Sequence, residues 1–90
     1  MHNWLAPSAL MRVMLVKREA FRVGPSFRGL RVRSGRAWVT VGGRDLTLPR
    51  GHAVALDPNA GPAVVSPLGL MPVVIELLSD MPSAAASDAG

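Results

Sequence analysis

Few residues in this chain can do covalent or metal chemistry, and their spacing gives them little help. There are two histidines, His2 and His52, six carboxylates and no cysteine. A metal centre needs several convergent His, Asp or Glu ligands. Here His2 stands near one end and His52 follows Gly51 at a turn, where a lone imidazole reads as a solvated side chain. A nucleophilic triad needs a hydroxyl, a base and a group that orients the base. Ser34 lacks the Gly-x-Ser-x-Gly setting, and nothing in the spacing of Asp45 and His52 requires them to meet. Glu76 lies among Val74, Ile75, Leu77 and Leu78. It reads either as an exposed edge residue or as the partner of an arginine from elsewhere. Without cysteine there is no disulfide and no thiolate catalysis. The expectation is no catalytic residue, no metal ligand and no cofactor, so an enzyme is the less favoured class.

The arginines carry more information. All ten basic residues fall within 12–50, against Glu19 and Asp45, a balance of +8. Residues 51–90 hold four carboxylates and no cation. Such asymmetry marks a candidate anion-binding surface. The plainer alternative is that Arg is simply the outward residue of one set of strands. Arg31, Arg33, Arg36 and Trp38 are the candidate anion or nucleic-acid surface. One strand face carrying an indole and three guanidiniums resembles a base-stacking platform with phosphate partners. Against RNA or single-stranded DNA, there is one such aromatic rather than two or three, and no RNP or helix-turn-helix signature. Gly42-Gly43-Arg44-Asp45 is too short for a phosphate loop and reads as a hairpin turn.

The elements that position these residues are short strands punctuated by Gly and Pro. Segments 20–23, 28–33, 37–41, 46–48, 53–56, 63–66 and 73–77 alternate or are rich in β-formers, and the first five end at a turn signal. Residues 9–20 are ambiguous. Ser8 offers an N-cap and the composition suits a helix, but Met11, Val13 and Leu15 alternate, and the segment is read as a strand.

Ser34-Gly35 reads as the turn of a hairpin. With a two-residue turn, Leu30, Val32, Ala37, Val39 and Val41 share the core face. Arg31, Arg33, Arg36, Trp38 and Thr40 then share the other. With a three-residue loop Trp38 joins the core instead, because a one-residue slip inverts every side chain of a strand. The sequence leaves both registers open.

Ninety residues make one domain with a thin core. Residues 1–10 read as an N-terminal extension, 11–80 as the β domain and 81–90 as a disordered tail. No apolar run is long enough for a membrane-spanning helix, and no secretory signal pattern is present. The expectation is a cytoplasmic chain with no membrane partner. Open sheet edges and a thin core point to a homodimer.

Two runs carry a family resemblance: Gly29-Leu30-Arg31-Val32-Arg33-Ser34-Gly35-Arg36-Ala37-Trp38-Val39-Thr40, and Leu46-Thr47-Leu48-Pro49-Arg50-Gly51-His52-Ala53-Val54-Ala55-Leu56. They resemble a family of short bacterial domains of unknown function, numbered 2917. The resemblance covers roughly residues 20–78. It implies a small cupin-like all-β sandwich or half-barrel of about six to eight antiparallel strands, and it brings no activity, ligand or site residue. In the wider cupin pattern, Gly43, Pro49 and Gly51 match the turn residues of the second motif, and Gly35 the glycine of the first. The ligand positions fall on Val54, on Pro58, on Arg28, and on Arg22 with Gly24 or Phe21 with Val23, none of which supplies the ligand expected there. The resulting expectation is a metal-free, non-catalytic binding or interaction module, with an unidentified small ligand between its sheets as one option.

Overall fold

Alternation of apolar and polar residues fixes two sheets that face each other. The computed structural model describes residues 9–79, and of Ala9 and Leu10 only the backbone. Eight strands follow in order: β1 Ala9–Leu15, β2 Phe21–Val23, β3 Gly29–Ser34, β4 Ala37–Val41, β5 Arg44–Leu48, β6 Ala53–Ala55, β7 Ala63–Pro67 and β8 Val73–Leu78. A short 3-10 turn, Pro58–Ala60, precedes β7, capped by the Asp57 side chain accepting from the Asn59 N–H at 2.9 Å. The strands form two antiparallel four-stranded sheets, sheet A in the order β1-β8-β3-β6 and sheet B in the order β2-β7-β4-β5. The chain passes between the sheets at nearly every connection, the winding of a jelly roll.

The all-β expectation holds, and the segment 9–20 read as a strand is one over Ala9–Leu15, with residues 16–20 forming a turn. That strand starts at Ala9, two residues inside the segment read as an extension. The expected tail, 81–90, and most of that extension lie outside the described residues.

The core lies between the sheets. Sheet A contributes Leu15, Leu30, Val32, Val73, Ile75 and Leu77, and sheet B contributes Val23, Ala37, Val39, Leu48, Ala63 and Val65, all buried in one cluster. Each alternates along its strand with an outward residue, as a half-buried sheet requires. Burying one such Val or Leu contributes about 1.5–3 kcal/mol.

The predicted hairpin at Ser34-Gly35 is not one. β3 pairs with β6 and β8, and β4 pairs with β5 and β7. Gly35 and Arg36 carry the chain from sheet A to sheet B. The core assignment of the two-residue register still holds: Leu30 and Val32 face Ala37 and Val39 across the interior rather than along a hairpin. Gly35 has φ +76°, and a Cβ there would overlap the Pro72 carbonyl oxygen, so only glycine fits. The hairpin that does exist is β4–β5. Gly42 and Gly43 have φ +60° and +75° between the paired residues Val41 and Arg44, the geometry of a type I′ turn.

Candidate functional site

The outer face of sheet A is built around Glu76. Central strand β8 places Glu76 on its outward side, opposite Arg12 of β1 and Arg31 of β3. The Glu76 side chain is only 4% exposed, because the guanidiniums lie over it. Arg31 donates to Oε1 from Nε at 3.1 Å and from Nη2 at 2.8 Å. Arg12 donates from Nη2 to Oε2 at 2.8 Å. Arg33 stands further off, its Nε 3.7 Å from Oε2. Burial pushes the carboxyl pKa up. The hydrogen bonds from Arg31 and Arg12 and the charges of Arg31 and Arg33 more than offset this and hold it below the ordinary value. One carboxylate thus binds two guanidiniums and lies within ion-pair distance of a third, and it cannot use all of their N–H donors.

The loops add a second group of cations. β1, β3, β5 and β7 all run toward one end of the sandwich, where residues 16–20, 35–36, 49–52 and 68–72 gather. The Leu68 N–H donates to the Arg36 carbonyl oxygen at 2.9 Å, tying two of these loops together. Lys17, Arg18, Arg36 and Arg50 are exposed there, with Glu19 as the loops' carboxylate. Glu19 is engaged by its own turn, where Oε1 accepts from the Val16 N–H at 2.8 Å. At the opposite end, loops 24–28, 42–43 and 56–62 hold only Arg28 and Asp57 as charged residues. Arg33, near the end of β3, joins the sheet A face to the cationic end.

The candidate surface expected from sequence is divided by this topology. Arg31 and Arg33 project from sheet A. Trp38 projects from sheet B, the opposite outer face, with Arg36 on the connection between them. Trp38 is 45% exposed and lies across from Thr47 and Ser66. Arg31 and Trp38, which only a hairpin would set side by side on one face, lie on opposite outer faces. Of the two readings of Glu76, the partner of an arginine from elsewhere holds, while Arg12, 64 positions away, carries no local mark of the cluster. The readable signal was a lone Glu at an outward position of an apolar strand.

The remaining candidates do not converge. Asp45, at the start of β5, accepts from the Thr40 hydroxyl at 2.9 Å on the outer face of sheet B. His52 lies exposed beyond the far end of that strand, and the Ser34 side chain is likewise exposed. His2 lies outside the described residues, among which no three His, Asp or Glu side chains group as metal ligands. Two open depressions lie toward the less charged end. One, of roughly 430 Å³, is lined by Arg22, Pro25, Pro58 and Pro62 among others. The other, of roughly 310 Å³, lies between Val41 and Leu46 of sheet B and Val54 and Ala55 of sheet A. Neither reaches the packed interior residues.

No protein-family model matches the chain. No curated protein matches it either. Among solved structures it is similar to a conserved protein of unknown function, SPY1581, from Streptococcus pyogenes. The TM-score is 0.57 at 17% identity, over 74% of this chain and 60% of that one. The chain therefore spans less than two thirds of its neighbour's length, and the likeness is one of fold: this is a small two-sheet β domain of a kind already seen without an assigned function.

Proposed function

We propose that the chain is a cupin-like, non-catalytic binding module that works through its outside and takes an anionic partner. The family resemblance at Gly35, Gly43, Pro49 and Gly51 supports the cupin-like part, since three of these residues are glycines that take positive φ at turns or crossovers that the fold needs. The observation that carries the reading is the distribution of charge. Seven cations (Arg12, Lys17, Arg18, Arg31, Arg33, Arg36 and Arg50) occupy one face and the adjoining end, and both carboxylates among them are already engaged. The space between the sheets is filled by Leu30, Val32, Val39, Val65 and Ile75, each fully buried, which leaves the exterior as the place to bind.

Retention on a heparin column in a salt gradient tests this. The protein is expected to bind and to elute earlier when Arg12→Gln and Arg33→Gln are combined, because fewer cations on the protein displace fewer counterions from the polyanion, and binding becomes weaker and less salt-dependent. Passage through the column at low salt removes the reading.

A homodimer fits the same fold. β1 is an edge strand of sheet A with seven residues, and Met11 and Met14 are exposed on it. A second copy pairing along that edge would cover its backbone donors and acceptors. Light scattering during gel filtration decides this, and a monomer at every concentration tested rejects it.

A further inference from the structure

We propose that the cationic end of the sandwich docks on an anionic lipid bilayer, with the Leu70–Met71 tip entering the headgroup–acyl boundary. This rests on the anionic-partner reading and names the partner. Leu70 and Met71 are 77% and 70% exposed, adjacent, and at the tip of the 68–72 loop. Single exposed apolar side chains are ordinary on a protein surface. A pair at a tip is a different case when the backbone holds it out. Gly69 before it has φ +95°, and Pro72 after it fixes the chain's return to β8. Val16, also exposed, belongs to the same end. The same end carries Lys17, Arg18 and Arg50, and Arg36 reaches the loop at Gly69.

Each occupant of this end must satisfy both features. A second copy meeting it end to end would set four cations against four cations, with only Glu19 on each side to offset them. A nucleic acid would take the cations and leave Leu70 and Met71 in water. Among the described residues this end presents no exposed aromatic for a base to stack on, Trp38 lying on the outer face of sheet B. An anionic bilayer meets both demands: headgroup phosphates for the guanidiniums and ammonium, and an apolar layer beneath for the two side chains. No membrane-spanning segment is needed for such contact. Among the described residues no helix is long and apolar enough to cross a bilayer.

Co-sedimentation of the full chain with vesicles tests the proposal. Vesicles of phosphatidylcholine with phosphatidylglycerol are expected to carry the protein down, and phosphatidylcholine alone is not. Added salt weakens the binding. The Leu70→Ser, Met71→Ser double variant is expected to lose at least about tenfold in partitioning while keeping wild-type retention on heparin, which shows that its fold and cations are intact. Lys17→Gln and Arg50→Gln are each expected to cost about fivefold. Wild-type partitioning by the double variant overturns the proposal. Heparin retention without vesicle binding overturns it too and leaves the anionic-partner reading standing. Failure in both assays removes both.

Discussion

Arg31 and Glu76 face each other directly across β3 and β8, and both Nε and Nη2 of the arginine donate to the same carboxylate oxygen, Oε1. The pair sits on the outside of a sheet yet is covered, because Arg12 closes over the other oxygen. Such an arrangement is costly to break from one side, since the remaining charge loses its partner in a partly desolvated place.

Arg31→Ala is therefore expected to cost more stability than Arg12→Ala or Arg33→Ala. About 2–4 kcal/mol is expected for Arg31, against about 1 kcal/mol or less for the two more exposed arginines. Urea denaturation of the three variants checks the order, and equal effects would show that Glu76 does not depend on Arg31.

Stability should fall in acid because of Glu76. Its folded pKa lies below the ordinary carboxylate value, so its contribution is fully present above the unfolded pKa of about 4.3 and is lost as pH falls through the folded value. Thermal melts from neutral pH downward should show a decline beginning near the ordinary Glu range. Glu76→Gln should start less stable and show a flatter profile. A parallel decline in the variant would assign the acid sensitivity to other carboxylates.

Gly35→Ala is expected to destabilise by about 2–4 kcal/mol. About 1–2 comes from the left-handed backbone, and the rest from displacing Pro72, against which the new methyl would press. Gly43→Ala keeps only the backbone cost, because nothing lies within 4 Å of a Cβ there. Chemical denaturation of both variants separates the two contributions, and equal losses would show that the crossover is loose.

Trp38→Ala should leave stability nearly unchanged, within about 1 kcal/mol, as for a surface substitution. Leu30→Ala should cost about 2–5 kcal/mol. In a Trp4→Phe background the remaining indole should be quenched by acrylamide in the native state. A shielded indole would mean that another chain covers the outer face of sheet B.

The strands were legible because Gly and Pro punctuate them and because two-face burial imposes alternation. Their bounds fall within about two residues of those read from sequence, except that the segment 9–20 is a strand only as far as Leu15. What sequence could not show is which sheet a strand joins. Ser34-Gly35 has the composition of a hairpin turn, and the crossover there also needs a positive φ, so the local signal is the same for both. The outward placing of Arg31 and Arg33 was readable from their alternation with Leu30 and Val32, whereas that of Arg36 and Trp38 was not, because the two registers gave opposite answers. The division of these residues between two faces was not readable either, because it follows from pairings with β6, β7 and β8. The Glu76 cluster is joined by contacts 45 and 64 positions apart and leaves no local trace beyond a charge in an apolar run.

The placement of β8 between β1 and β3 bears on how the chain acquires its structure. Until Val73–Leu78 has been synthesised, the first strand has no neighbour and the third lacks its larger one. A nascent chain on the ribosome therefore holds an incomplete, arginine-bearing sheet in which only β3 and β6 can pair, and closing it requires pairing across nearly the whole domain. Such long-range closure is slow and leaves strand edges open to other chains meanwhile. Truncation before Val73 should yield aggregation rather than a smaller domain.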